Sequence, residues 1–366
     1  MIRALLVAGT RPNFIKIAPL HRAFDQHEAI EPILVHTGQH YDAAMSDVFF
    51  QQLELPRPDI SLSAGSGSHA RQTARVMQEL EPIIVEQRPD VVVVVGDVNS
   101  TLAAALTASK LHVLVAHVEA GLRSFDRRMP EEINRIATDA ISDYLFVTEA
   151  AAIKHLREEG KADEAIFFTG NVMIDSLRRY EEKARSVSQH EVYGMNARSF
   201  VLLTAHRPEL VDNPALLAVL VESISRIGDR HPVLFPIHPR TRKRIVEFGL
   251  EDVLVNSAGV HLIEPLGYFE FLSLMIHAGL VLTDSGGIQE ETTALGVPCA
   301  TIRDNTERPC TIEVGTNELL PLDPDVLEDA SNRALSGLWK TGSLPLLWDG
   351  HAAERIAAVL ATVLRD

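Results

Sequence analysis

Five apolar, β-branched runs in this chain each stop at a polar or charged group: Ala4–Gly9 at Thr10-Arg11, Val91–Gly96 at Asp97, Val113–Val118 at Glu119, Phe200–Ala205 at His206-Arg207, and Gly279–Thr283 at Asp284-Ser285. Continuous runs of this kind, alternating with segments of helical spacing, read as strands of a parallel sheet buried on both faces. Open parallel sheets hold ligands beyond the carboxyl ends of their strands, so all five polar groups are expected in sites at that edge. The chain reads as an α/β enzyme.

At 366 residues and 46% hydrophobic composition, the chain exceeds one typical core and fits two α/β domains. Helical spacing over Phe14–His27, Gln72–Glu86 and Ser100–Leu111 alternates with strands at Ile30–Thr37, Val91–Gly96 and Val113–Val118. Ser61–Ser68 is Gly/Ser-rich and reads as a surface loop. Pro130 opens another helix, at a first-turn position where its missing N–H costs little, and Tyr144–Val147 is the next strand. Apolar periodicity fades over Lys183–Asn196, after which strands recur at Val201–Ala205, Val233–Ile237, Val260–Ile263, Leu280–Thr283 and Cys299–Ile302. The expected organisation is a domain over 1–172, a second over 173–350 repeating the architecture of the first, and a terminal helix in 351–366. That helix carries Ile356, Val359, Leu360, Val363 and Leu364 on one face, which should dock on a domain.

With 34 Lys and Arg against 50 Asp and Glu, the net charge of −16 argues against a nucleic-acid or anionic-membrane partner, so any bound anion must be gripped locally. Cys299 and Cys310 show no metal spacing and favour structural roles in a reducing compartment. The apolar run after Arg3 is too short for a signal peptide, and no stretch approaches the length of a membrane span. A soluble, cytoplasmic protein is expected.

Strand, Asp284-Ser285-Gly286-Gly287 turn, then helix is a phosphate-binding layout, because glycines permit close backbone approach and the helix N-terminus offers unpaired N–H groups. An ordinary turn capped by Asp284 or Ser285 is the plainer reading. Glu291 could hold ribose hydroxyls, as a carboxylate accepts two hydrogen bonds from a vicinal diol. Arg11 and Lys16 could place two cations near a diphosphate. Asp97, Glu119 and Glu131 each have a bland explanation: a cap for the helix near Ser100, a strand end, and, with Glu132, a complement to a helix dipole. Taken together they make general acid/base chemistry plausible. Among the fifteen histidines, His206 and His238 carry most weight because both end strands, while His36 and His40 bridge a strand and a loop. Neither Gly-x-Gly-x-x-Gly, nor a P-loop, nor His-Glu-x-x-His occurs, so no nicotinamide cofactor and no catalytic metal are expected.

Read in order, Gly9-Thr10-Arg11-Pro12-Asn13-Phe14-Ile15-Lys16, Gly96-Asp97, His117-Val118-Glu119-Ala120-Gly121-Leu122-Arg123, Pro130-Glu131-Glu132-Ile133-Asn134-Arg135, His206-Arg207, Asp284–Glu291 and Thr306-Glu307-Arg308-Pro309 resemble the bacterial UDP-N-acetylglucosamine 2-epimerase family over nearly the whole chain. The resemblance implies two Rossmann-like domains in the glycosyltransferase-B architecture with a catalytic cleft between them, a terminal helix returning to the first domain, and a homodimer. It implies acid/base roles for Asp97, Glu119 and Glu131, and an essential His206 near the diphosphate. Arg11, Lys16, Ser285, Gly286, Gly287, Glu291 and Arg308 resemble the UDP-holding set, with Phe271 beside the nucleotide. The implied reaction interconverts UDP-N-acetylglucosamine and UDP-N-acetylmannosamine by loss and readdition of UDP through 2-acetamidoglucal. A hydrolysing variant and a diacetamido uronic acid substrate are the alternatives. Many family members differ at Asn13, Gln39-His40-Tyr41, Cys310 and Leu346–Gly350, so the surroundings of the catalytic set are not the common ones.

Overall fold

A computed structural model describes residues 1–9, 11–38, 50 and 52–365 of the chain, without the side chains of Arg11 and Pro12. Two compact units emerge: Met1–Arg179 with Leu346–Asp366, and Tyr180–Pro345. The units part inside the helix Val172–Val187, whereas the sequence reading starts the second domain at 173; the returning segment begins at Leu346 rather than 351.

Among the described residues, the first unit holds a parallel sheet of β1 Ile2–Ala8, β2 Ile30–His36, β3 Ile60–Ser61, β4 Val91–Val95, β5 Leu114–Val118, β6 Tyr144–Val147 and β7 Ile166–Phe168. Their spatial order is β3-β2-β1-β4-β5-β6-β7. The five valines of β4 are all buried, as expected of a central strand covered on both faces by stiff, β-branched side chains. On one face Leu5, Val7, Val92, Val94 and Val115 pack with Val76, Leu80 and Ile84 of the helix His69–Gln87. They also meet Ala103, Ala104 and Ala108 of the helix Asn99–Lys110.

The second unit repeats the plan with β8 Val201–Thr204, β9 Val233–Pro236, β10 Val260–Ile263, β11 Leu280–Thr283, β12 Cys299–Ile302 and β13 Asn317–Leu320. These run parallel in the order β10-β9-β8-β11-β12-β13. Its core joins Leu203, Val233, Phe235 and Leu282 to Leu217, Leu220, Val221 and Ile224 of the helix Pro214–Gly228. Strand order reverses between β1 and β4 in the first sheet and between β8 and β11 in the second. At these points the neighbouring helices diverge to opposite faces and leave a crevice at the carboxyl ends. Asp97 and Glu119 follow β4 and β5, and His206 and Asp284 follow β8 and β11. The edge strands β3, β7 and β13 are additions to the sequence reading; Ser61, read there as loop, pairs with His36.

The segment from Leu346 belongs to the first unit, where buried Trp348 donates from Nε1 to the Thr148 carbonyl at 2.9 Å. The helix Ala352–Val363 packs against the helix Arg11–Asp25 along a seam of Ala353, Ile356, Ala357 and Leu360. Alanines, rather than Val363 and Leu364, complete that seam, since small side chains let the helices approach closely. No described helix is long and apolar enough to cross a membrane.

Asp175 anchors the start of this helix by accepting from Ala352 N at 3.1 Å and Ala353 N at 2.7 Å. Burial pushes its carboxyl up to about 6 despite those two amide donors. An acid whose folded value lies above its unfolded one stabilises the fold below the unfolded value and loses that contribution as pH rises through the folded one. For Asp175 the loss falls between about pH 4 and about pH 6 and is on the order of 2–3 kcal/mol. Asp175→Asn, which cannot ionise, is expected to flatten the pH dependence of urea stability in that window. An unchanged slope would remove Asp175 as its source.

Candidate active site

In the first unit the site grows out of two tight turns. Gly96 adopts φ +70°, a left-handed turn that favours glycine, and a β-carbon there would lie in ordinary contact with Glu119 Oε2 at 3.4 Å and Lys16 Nζ at 3.5 Å, so the turn passes beside these groups. Glu119 also adopts a positive φ, +70°, a costly conformation for a residue with a β-carbon, and such strain collects at functional sites. Its buried carboxylate takes Lys16 Nζ at 2.5 Å on Oε2, while Oε1 is buried without a hydrogen-bond partner among the described residues. Lys16, expected among the UDP-holding cations, thus has Glu119 as its partner. Asn13 donates to the Val95 carbonyl at 2.9 Å and lies within 4 Å of the same Gly96 position.

Asp97 does not cap the following helix, whose N-cap is Val98; it accepts from Arg135 Nη1. Arg135 is buried and reaches Glu132 through Nη2 at 2.7 Å. Glu132 in turn accepts from Ser124 N at 3.0 Å and Phe125 N at 2.9 Å. Glu131 and Glu132, read as a pair at a helix start, therefore separate: Glu132 is an internal brace, and Glu131 stays partly exposed in the first turn of the helix Pro130–Ile141.

Beneath Asp97 lies a buried triad that sequence reading missed. His117 donates from Nε2 to the Gly96 carbonyl at 2.8 Å, and its Nδ1 meets Asp139 Oδ1 at 2.6 Å. Asp139 Oδ2 faces Arg123 at 2.7 Å and accepts from Gly121 N at 3.0 Å. Burial opposes ionisation of Asp139, yet His117 and Arg123 together hold its carboxyl below the ordinary range. His117 was visible as a polar residue inside an apolar strand. Asp139 looked like any charge on a helix.

In the second unit, Asp284 is buried and accepts through Oδ2 from the backbone N–H groups of His206 and Arg207, each at 2.8 Å. Its Oδ1 lies 3.2 Å from His206 Nδ1, which orients a ring whose side chain remains 44% exposed. Asp284 thus ties the turn after β8 instead of capping a helix, and burial's upward push on its carboxyl is overcome by His206 and the two amides. His238 lies 5.8 Å from His206, ring to ring. Ser285 occupies the N-cap position of the helix Gly286–Leu295 without a side-chain cap bond. Gly286 and Gly287 form the first turn, and a β-carbon on Gly286 would meet Arg308 Nη1 at 2.5 Å.

Arg308 is buried, with Glu290 on Nε at 2.8 Å and Glu307 on Nη1. Glu307 also meets Arg303 at 3.0 Å and Arg207 at 4.0 Å. Arg207, Arg303 and Arg308 thus meet Glu290 and Glu307 beside this helix N-terminus, whose N–H groups favour a phosphate. Glu291 is buried, and burial pushes it up to about 7 although Tyr268 donates to Oε1 at 3.2 Å. Phe271, partly buried, follows Tyr268 one turn later on the same helix, Tyr268–His277. The Arg11 side chain, Thr10, His40 and the Gln39-His40-Tyr41 segment lie outside the described residues. Among the described residues, no group of three or more His, Cys, Asp or Glu side chains is arranged to hold a metal ion.

Two parallel-sheet α/β units, with carboxylates after one switch point and a cation-rich helix N-terminus after the other, define an enzyme of the two-Rossmann, glycosyltransferase-B class. The family described as UDP-N-acetylglucosamine 2-epimerase matches residues 22–361, and the chain belongs to it. It is similar to the UDP-N-acetylglucosamine 2-epimerase of Methanocaldococcus jannaschii, with 45% identity over 97% of this chain and 98% of that protein. The crystal structure of the Methanocaldococcus jannaschii enzyme in complex with UDP-GlcNAc and UDP superimposes with a TM-score of 0.89 at 44% identity, covering 98% of this chain and 99% of that one. The UDP-2,3-diacetamido-2,3-dideoxy-D-glucuronate 2-epimerase of Pseudomonas aeruginosa is 42% identical over 98% of this chain and 99% of its own length. Family and fold class are those the ordered motifs implied.

The Asp139 triad makes a stability prediction. Asp139→Asn leaves Arg123 and His117 buried with a weaker partner, and breaking a buried pair costs about 3–5 kcal/mol. Urea unfolding should register that loss; a change under about 1 kcal/mol would show that Asp139 carries no such charge.

Proposed function

We propose that this protein interconverts UDP-N-acetylglucosamine and UDP-N-acetylmannosamine by eliminating and re-adding UDP. Family membership supports the reaction, and Glu119 is the observation that carries the chemistry: a strained, buried carboxylate with one oxygen on Lys16 and the other unpartnered among the described residues. The C2 proton of the sugar is not adjacent to a carbonyl, so its removal needs either transient oxidation or departure of the anomeric group. The chain carries no dinucleotide fingerprint, which favours departure.

In the proposed step a carboxylate takes the C2 proton while the C1–O bond breaks and UDP leaves with the electron pair, forming the C1=C2 bond of 2-acetamidoglucal. Protonation of C2 from the opposite face, with return of the UDP oxygen to C1, gives the epimer. One proton-transfer group is needed per face, and Asp97, Glu119 and Glu131 are the proposed set. Charge develops on the departing diphosphate, which the proposal assigns to Arg11, Lys16, His206, Ser285 with the Gly286-Gly287 turn, and Arg308. Glu291 would hold the ribose and Phe271 would flank the base. The Pseudomonas aeruginosa relative supports a second reading of the substrate, a diacetamido uronic acid nucleotide. The homodimer and the cytoplasmic setting rest on the family resemblance alone.

Proton NMR of the protein with UDP-N-acetylglucosamine in D₂O tests the reaction. Deuterium at C2 of both epimers is expected; free N-acetylmannosamine with UDP would identify hydrolysis, and inert substrate would turn attention to the diacetamido sugar. Glu119→Gln should lower kcat by roughly 10²–10⁴-fold, the usual worth of a positioned proton-transfer group.

Glu291 supplies a pH signature. It accepts two diol hydroxyls only when ionised, above about pH 7. The preference for UDP over 2′-deoxy-UDP, a ratio that cancels the phosphate's own titration, should therefore shrink as pH falls from about 8 to 6. A ratio constant across that range would remove Glu291 from ribose recognition.

A further inference from the structure

The proposed reaction leaves unused the buried triad of His117, Asp139 and Arg123. The His117 ring and the Asp139 carboxylate expose no surface to solvent. Both ring nitrogens face oxygen: Nδ1 meets Asp139 Oδ1 at 2.6 Å, and Nε2 meets the Gly96 carbonyl at 2.8 Å. A carbonyl oxygen only accepts, so Nε2 carries a proton. Nδ1 then either donates to an ionised Asp139 or accepts from a protonated one. Oδ2 decides between the two, since Arg123 at 2.7 Å and Gly121 N at 3.0 Å both favour the ionised carboxylate. Against the opposing pull of burial, that carboxyl is held below the ordinary range. With Asp139 ionised, Nδ1 is a donor too. Charge then alternates along His117, Asp139, Arg123 and Glu159, whose carboxylate takes Arg123 Nε at 2.8 Å and Nη2 at 2.6 Å.

The two acceptors of this ring belong to elements that carry the proposed acid/base groups. Gly96 immediately precedes Asp97, and His117 stands two residues before Glu119 at the end of β5. Asp139 lies on the helix Pro130–Ile141, whose first turn holds Glu131. The same helix grips Asp97 twice more: Asn134 Nδ2 donates to the Asp97 carbonyl at 2.8 Å, and Arg135 reaches its carboxylate. We propose that His117 is a positioning residue for the elimination, a buried imidazolium that locks the Gly96–Asp97 turn to the helix Pro130–Ile141. The role rests on the reading of function above. A neutral ring has one N–H and could donate to only one of the two acceptors, leaving either the turn or the helix unheld. Charge also makes such hydrogen bonds about twice as strong as neutral ones. Proton transfer depends steeply on placement, so releasing the turn at Gly96 lowers kcat while the contacts of the nucleotide stay in place.

In ¹⁵N–¹H spectra of the intact protein, the His117 ring, assigned through its contact with Gly96, is expected to carry a long-lived proton on each nitrogen at the pH of the assay. A single protonated ring nitrogen would overturn the assignment, and this readout needs neither a variant nor turnover. His117→Gln keeps a donor of similar reach but cannot take the charge. The folded variant is expected to lose about 10- to 100-fold in kcat, with KM and UDP affinity within about twofold, because Ser285, Gly286, Gly287, Glu291 and Arg308 belong to the second unit. Unchanged kcat, or equal losses in kcat and UDP affinity, would overturn the role. If the variant does not fold, the spectrum of the parent decides. Failure of the parent protein to act on any UDP-sugar would overturn the reading of function instead, with both ring protons still observed.

Discussion

Charge that must be compensated away from water shapes both units. Carrying an ion into a protein interior costs several kcal/mol unless a counter-ion and hydrogen bonds meet it there. Each strand end that carries a proposed functional group meets this demand from a neighbouring element. Glu119 draws Lys16 from the helix after β1, and Asp97 draws Arg135 from the helix after β5. Asp284 draws His206 from the turn after β8, and Arg308 finds Glu290 on the helix after β11. In a parallel sheet these helices start at the edge where the strands end, so the topology that exposes reactive groups also delivers their partners. Stability and reactivity therefore share residues: altering Glu119 would take from the buried Lys16 its counter-ion.

Strain follows the same pattern. Glu119 and Phe125 both hold left-handed backbone near the end of β5, each fixed by contacts that ordinary turns do not need. Gly96 shares the left-handed backbone, at no cost because it lacks a β-carbon. Strain sustained by a buried network is a means of pre-organisation: the side chains are placed before substrate arrives, and little reorganisation is left for the reaction.

Much of this fold was legible in the sequence because central parallel strands are unbroken apolar runs, and Val91–Val95 admits few other readings. The edge strands β3, β7 and β13 escaped notice because each has only two to four residues, too few to show a periodicity before a neighbour pairs with them. The same distinction divides the site. Asp97, Glu119, His206 and Ser285 announced themselves by interrupting apolar runs. Arg135, Asp139, Glu132 and Tyr268 sit in helices, where a charge or hydroxyl looks solvated until the fold turns it inward. Asp284 stands in the phosphate-binding turn, with a helix cap as its plainer role, but sequence proximity to a helix says nothing of which backbone amides its carboxylate faces.

An elimination breaks the C1–O bond of the UDP-sugar in every cycle of the proposed reaction. Positional isotope exchange tests this most directly, using UDP-N-acetylglucosamine carrying ¹⁸O in the oxygen that bridges the sugar and the β-phosphate. The account predicts that during epimerisation the label scrambles into the non-bridging β-phosphate oxygens of recovered UDP-sugar, because freed UDP can rotate before it returns. Label retained wholly in the bridge through many turnovers, with C2 inverted, would contradict it and require chemistry that leaves the glycosidic bond intact.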